Sequence, residues 1–237
     1  MSNIRIIPVT TRKGLRAFVN FYYELYKGNK FAVPFLRFDE MNTLSKRKNP
    51  AFEFCEAQYF LAVNHEARIV GRVAAIINRR ANEQWNKKQV RFGWFDFVDD
   101  LEVSQALLNA VEAWGRTKGM TECVGPLGFT DMDREGLLIE GFHHKSTMYI
   151  NYNYPYYKNH MEAMSFYKKD NDWLEYRIKV PEETPAKFAR TAEMIKKRYN
   201  LHVHKFTSRE LVKGGMGREV FHIVNETYKD LYDFQQL

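Results

Sequence analysis

Apolar positions recur along the chain with two periods, and the switches between them mark out its elements. Residues 3–9 alternate Ile4 and Ile6 with polar neighbours in a short strand pattern, and Thr10-Thr11 then offers an N-cap for a helix reaching to about residue 26. Phe18, Phe21, Tyr22 and Leu25 recur there at i, i+3, i+4 and i+7, one buried face closed by Gly28. Residues 31–54 mix aromatic and basic positions between Pro34 and Pro50 and predict a short helix between loops, placed to lie over a cleft. Residues 58–63 and 69–77 are apolar strands separated by Asn64-His65-Glu66-Ala67, a β-hairpin.

A polar connection, 79–88, leads to a third antiparallel strand over 90–98, with Gly93 inside it marking a bulge or a close backbone approach. The helix predicted over 103–117 turns Ala106, Leu107, Ala110, Val111 and Trp114 to a core and ends at Gly119, before extended structure resumes at 122–124. A strand, helix and strand of these lengths form a crossover with the two strands parallel. Further on, 131–142 reads as an acidic insertion, 148–154 as a strand, Pro155 as the opening of a helix to about residue 164, and 173–180 as a closing strand. Pro181 and Pro185 bracket a linker into a basic helix ending near residue 199. Residues 200–209 and 228–232 parallel 3–12 and 22–26, as the start of a second copy would.

Composition sets the class. Of 237 residues, 45% are apolar and 15% aromatic, which argues for a packed core rather than a disordered chain. The net charge of +7 suits an anionic partner where basic residues cluster, as at Lys46-Arg47-Lys48, Arg79-Arg80 with Lys87-Lys88, and Lys196-Lys197-Arg198. None of these runs interleaves with aromatics in a nucleic-acid motif, so a solvated face is the favoured reading and a nucleic-acid partner is not. Two cysteines, Cys55 and Cys123, make no disulfide framework, the first residues carry no signal pattern, and no apolar run reaches a bilayer span. The expectation is a soluble cytoplasmic protein with no membrane partner.

The chemistry-bearing candidates are scattered. Gly125-Pro126-Leu127-Gly128-Phe129-Thr130 follows a parallel strand, where α/β sheets bind ligands, and its glycines allow a backbone to come close. Asp131, Asp133 and Glu135 are spaced like the start of a calcium loop but lack its glycine and distal glutamate, and His143-His144 lack cysteine or acidic partners; no metal is expected. Lys213-Gly214-Gly215-Met216-Gly217 does not complete a phosphate loop. Tyrosines at 149, 152, 154, 156 and 157 suit a core or cleft wall. The acidic turn Asp99-Asp100-Leu101-Glu102 suits the N-terminus of the following helix as a cap.

Two places resemble the GNAT acyltransferase superfamily: Phe92-Gly93-Trp94-Phe95-Asp96-Phe97-Val98 with the helix carrying Ala106-Leu107-Leu108, and Tyr156-Tyr157 ahead of Met164-Ser165-Phe166-Tyr167. The resemblance covers about residues 3–180. It implies an α/β (α+β) fold with a mixed, mostly antiparallel central sheet and helices on both faces, with 1–180 as the acyltransferase domain and 181–237 as a linker helix and the start of an incomplete second copy. It further implies transfer of an acyl group from acetyl-CoA or another acyl-CoA to a small-molecule or peptide amine. The cosubstrate would lie along Trp94, Phe95, Val98, Val103 and Ser104, the acceptor against Gly128, Phe129 and Asp131, with Tyr157 as acid and Glu140 as base; Asp131 and Glu135 are further candidates for holding the amine. Physical roles attach to each: amides aimed at a developing oxyanion, a helix N-terminus for phosphate, an acid within reach of the thiolate. The family's basic and glycine-rich phosphate loop is replaced by Asp99, Asp100 and Glu102, and Ser165 stands for the late motif's glycine. Two rival readings keep the architecture: a tandem transferase that uses aminoacyl-tRNA, and a non-catalytic binding module.

Overall fold

The two most apolar runs pair with each other. β2 (Cys55–Val63) and β3 (Ile69–Asn78) form the antiparallel hairpin, and the side chain of Asn64 accepts from the amides of Glu66 and Arg68 to shape its turn. β1 (Arg5–Pro8) pairs antiparallel with β2, β4 (Gln89–Phe97) antiparallel with β3, and β5 (Glu122–Val124) parallel with β4, giving a mixed α/β fold on a five-stranded, mostly antiparallel sheet in the order β1-β2-β3-β4-β5. This computed structural model describes residues 3–231 and 234–236.

Successive side chains of β3 serve opposite faces, which is why the strand reads as continuously apolar. Val73, Ala75 and Ile77 pack with Val103, Leu107, Leu108 and Val111 of α4 (Leu101–Thr117), whereas Ala74 and Ile76 pack with Phe18 and Val19 of α1 (Arg12–Leu25). Thr11 caps α1 by accepting from Gly14 N at 3.0 Å, and Asp100 caps α4 by accepting from Glu102 N at 2.9 Å. The segment before β2 carries α2 (Arg37–Thr43), and the connection after β3, expected to be irregular, carries α3 (Arg79–Gln84) because Asn78 caps it through Ala81 N. α5 (Tyr156–Ala163) lies on the α4 side, where Tyr157 joins the core.

Two expected strands are not formed. Residues 148–154 pair with no strand; Asn153 instead accepts from Leu138 N at 2.7 Å and donates to Leu138 O at 3.0 Å, so side-chain bonds replace a ladder. Residues 173–180 are extended but likewise have no ladder partner among the described residues. The chain divides into a first unit running to Asp170 and taking in residues 234–236, and a second from Asn171 to Lys229. The second holds α6 (Ala186–Tyr199), α7 (Ser208–Lys213), opened by a Thr207–Glu210 capping box, and α8 (Met216–Tyr228). Residues 200–206, the counterpart of β1 in the sequence parallel, form no strand, so the structure lends the second copy no support. Among the described residues no helix is long and apolar enough to cross a membrane.

Candidate functional site

The site begins with an irregularity in β4. Ala74 faces Gly93 and Arg72 faces Asp96, so β4 carries one residue more than β3 over this step, and the strain falls on Trp94, whose φ is 46°. A left-handed tryptophan costs about 1–3 kcal/mol and persists only where neighbours hold it. Here Trp94 Nε1 donates to Glu40 Oε2 at 2.7 Å and its ring meets Phe129 edge-on.

Beside the bulge the parallel pairing of β4 with β5 ends at Arg91 and Val124. The chain then turns close over β4: Leu127 N donates to Phe92 O at 2.8 Å, and a side chain at Gly93 would lie 2.4 Å from Leu127 O. The cleft is walled by Trp94, Phe95 and Asp96 on one side and Pro126, Leu127 and Gly128 on the other, with Tyr22, Phe35, Arg134, Leu137 and Tyr152 around it. It is narrow, about 40 Å³, and partly open to solvent.

Two ion pairs hold its charged side chains, the first of them buried. Arg72, 2% exposed, sets Nε and Nη2 each 2.7 Å from Asp96 Oδ2 and donates from Nη1 to Phe18 O at 3.0 Å. Arg134 pairs with Glu40 and lies over the Phe35 ring, 3.2 Å from its centroid. The formal charges cancel. Tyr26 donates to Asp96 Oδ1 at 3.3 Å and lies 3.1 Å from the Tyr157 hydroxyl, which accepts from Phe97 N at 3.1 Å. Burial first, then the Asp96 charge, holds the Tyr157 phenol far above its usual range.

Of the residues singled out from sequence, Trp94, Phe95 and Gly128 come together in the cleft. Tyr157 does not line it: it is wholly buried, two hydrogen bonds from the cleft through Tyr26 and Asp96. Phe129 packs between Phe52 and Trp94, and Asp131 sits half-buried in the following turn. Glu140 is exposed on a loop and does not border the cleft. Val98 N donates to Val70 O, prolonging the sheet, and Val103 and Ser104 are buried in the first turns of α4.

That turn does not fit a pyrophosphate. Asp100 takes the Glu102 amide, Glu102 accepts from Asn3 N, and Asp99 Oδ1 lies 3.0 Å from His160 Nε2, whose Nδ1 is 2.9 Å from Ser104 Oγ. Three carboxylates would face the anion, and α5 is bridged onto the helix start. The Ser104, His160 and Asp99 contacts resemble a nucleophilic triad only in composition, because Ser104 has no exposed surface. Cys55 and Cys123 are no better as nucleophiles, since burial pushes both thiols up to about 12. Among the described residues no group of three His, Cys, Asp or Glu is placed to hold a metal.

Sequence reasoning missed Tyr22, Glu40, Arg72, Asp96 and Arg134. Tyr22 reads as one more member of an apolar helical stripe. Arg72 and Asp96 did carry a signal: Arg72 is the single charge in β3 and Asp96 the single carboxylate in β4, opposite charges on neighbouring apolar strands that are best buried as a pair.

No family model matches the chain. Protein YghO of Escherichia coli K12 is 32% identical over 157 residues, 66% of this chain and 40% of that protein. The bacterial ceramide synthase of Caulobacter vibrioides is 28% identical over 177 residues, 74% of this chain and 46% of that one. The chain thus spans less than half the length of these curated relatives. Among solved structures, a putative acetyl transferase from Pyrococcus furiosus has a TM-score of 0.41 at 16% identity, covering 73% of this chain and all of that one. A GNAT-family acetyltransferase from Staphylococcus aureus has a TM-score of 0.35 at 16% identity, over 49% and 69%.

Proposed function

We propose that the cleft beside the β4 bulge carries N-acyl transfer, moving an acyl group from a thioester to the amine of a small, largely apolar acceptor. The observation that carries this reading is the bulged, strained backbone at Gly93 and Trp94 opening onto a cleft with apolar walls and paired charges. A bulge frees backbone groups from the ladder, and an amide freed there can meet the oxygen of a thioester carbonyl as it becomes negative. The name of the Caulobacter relative supports the acceptor class, since a ceramide is an N-acylated long-chain amino alcohol.

In this reading the nitrogen forms the new C–N bond as the C–S bond breaks, and the proton lost by nitrogen ends on the departing sulfur. Both thiols are buried, raised and away from the cleft lining, so neither cysteine is placed to carry the acyl group and the reading takes transfer as direct. Asp96, on the cleft wall, is better placed than the exposed Glu140 to receive the amine's proton, and Tyr26 with Tyr157 holds its other oxygen. Tyr157 is then a positioning residue. In this reading the donor's thioester end meets the backbone at Gly93 and Trp94, while its phosphates, where it is a coenzyme A ester, lie away from the acidic turn.

The clamp of α5 onto α4 through His160 favours a second reading, a binding module without turnover. One experiment separates them: the purified chain with acyl-CoAs from acetyl to palmitoyl and a long-chain amino alcohol, with amide read by mass spectrometry and free thiol read colorimetrically. Amide with stoichiometric thiol supports transfer; an amine that binds while neither product forms supports the module.

A further inference from the structure

The polar groups around the cleft are spoken for, with two exceptions. Arg72 and Asp96 satisfy each other, Asn153 spends its amide on Leu138 and Tyr154, and Tyr152 donates to Phe142 O. Tyr22 Oη and Arg134 Nη1 are buried and have no hydrogen-bond partner among the described residues. Tyr22 is only 4% exposed, and both residues line the cleft. Both border the Phe35 ring: the Arg134 guanidinium lies over it, and its centroid is 4.9 Å from that of Tyr22. Buried donors in folded proteins are almost always paired, so two idle ones lining one cleft wait for an acceptor atom.

We propose that Tyr22 and Arg134 together hold an oxygen atom of the acceptor substrate close to its amine, and so select amines that carry one. Charge decides which oxygen. Glu40 already neutralises Arg134 and Asp96 neutralises Arg72, so the cleft has no spare cation for a carboxylate; the match is an uncharged oxygen, the hydroxyl of a vicinal amino alcohol. Its lone pairs take the Tyr22 O–H and the Arg134 N–H, while its amine lies within reach of the Asp96 carboxylate. Tyr22 and Arg134 are thus specificity-determining residues.

This assignment rests on the N-acyl transfer reading for its meaning, but its test does not. Calorimetric affinities of the whole chain are measured for a vicinal amino alcohol, the matched alkylamine without the hydroxyl, and the matched α-amino acid, and kcat/KM for the first two where turnover is found. The wild type prefers the amino alcohol about tenfold or more over both others. Tyr22→Phe, which deletes only an idle hydroxyl, and Arg134→Lys, which keeps the charge opposite Glu40 but loses the second donor, each shrink that preference about tenfold. Equal affinity for amino alcohol and alkylamine in the wild type overturns the proposal, as does an undiminished preference in both variants. A preference for the amino acid overturns the charge argument and the proposal with it. Absence of turnover with every amine defeats the transfer reading alone, since the binding preference is read without it.

Discussion

Replacing Asp96 by Ala probes the floor of the cleft directly. Arg72 is then left with its guanidinium inside the protein and no anion: it is 2% exposed, and both its Nε and Nη2 contacts at 2.7 Å disappear. Only the bond from Nη1 to Phe18 O remains, and Tyr26 loses its carboxylate acceptor. Removing one partner of a buried pair costs about 3–5 kcal/mol, because the surviving charge stays desolvated. For a unit of this size that is a fall in Tm of roughly 10 °C. The paired replacement Arg72→Met with Asp96→Leu removes both charges and should recover most of the loss, leaving a coupling energy of about 3 kcal/mol in a double-mutant cycle. The assay is urea unfolding followed by tryptophan fluorescence, to which Trp94 reports from the same cleft. A loss under about 1 kcal/mol for Asp96→Ala, or simple additivity in the cycle, would show that Arg72 reaches water on its own and that the pair does not seal the cleft floor.

Other outcomes follow from single contacts. Gly93→Ala sets a methyl 2.4 Å from Leu127 O and should cost about 1–3 kcal/mol in a thermal melt while displacing the 125–128 segment. Tyr157→Phe strands Phe97 N and should destabilise by about 1–3 kcal/mol without altering the amine preference, since Tyr157 does not face the cleft. Burial, outweighing the amides of Thr130 and Phe129, raises the Asp133 carboxyl above its ordinary value, so the folded state binds its proton more tightly than the unfolded chain does. That group therefore opposes folding above its raised pKa and ceases to do so below the ordinary carboxylate value. Asp133→Asn should accordingly look more favourable relative to wild type at neutral pH than near pH 4 in urea melts. Finally, an acyl-pantetheine lacking the nucleotide and pyrophosphate should serve as donor within about tenfold of the acyl-CoA in kcat/KM, because the acidic start of α4 offers the phosphates nothing.

The elements legible in the sequence were those set by local pattern. The α1 stripe with its Thr11 cap, the hairpin around Asn64 and the crossover through α4 follow from periodicity and capping, and the interior Gly93 marked the bulge. Residues 148–154 and 173–180 misled because alternation supplies only half of a strand; a ladder also needs an edge to pair with, which no local pattern encodes. The cleft itself was half legible. Trp94, Phe95 and Gly128 lie on the two backbones that form it, but Tyr22, Glu40 and Arg134 arrive from α1, α2 and a distant loop, and only the folded chain brings them together. Tyr157 illustrates the converse: the helix register put it near β4, and the packing of Tyr26 and Phe97 then sealed it from the cleft.

We propose acyl transfer from a thioester to an amine at this cleft. Its most direct measurement is amide formation by the folded chain, with a long-chain acyl thioester and a vicinal amino alcohol, followed by mass spectrometry against an Asp96→Asn control. Amide and free thiol in equal amounts are expected from the wild type, with a loss of at least about tenfold in the control. Amide formed equally well by the control, or none formed from any acyl donor by a chain that binds the amine, would contradict it.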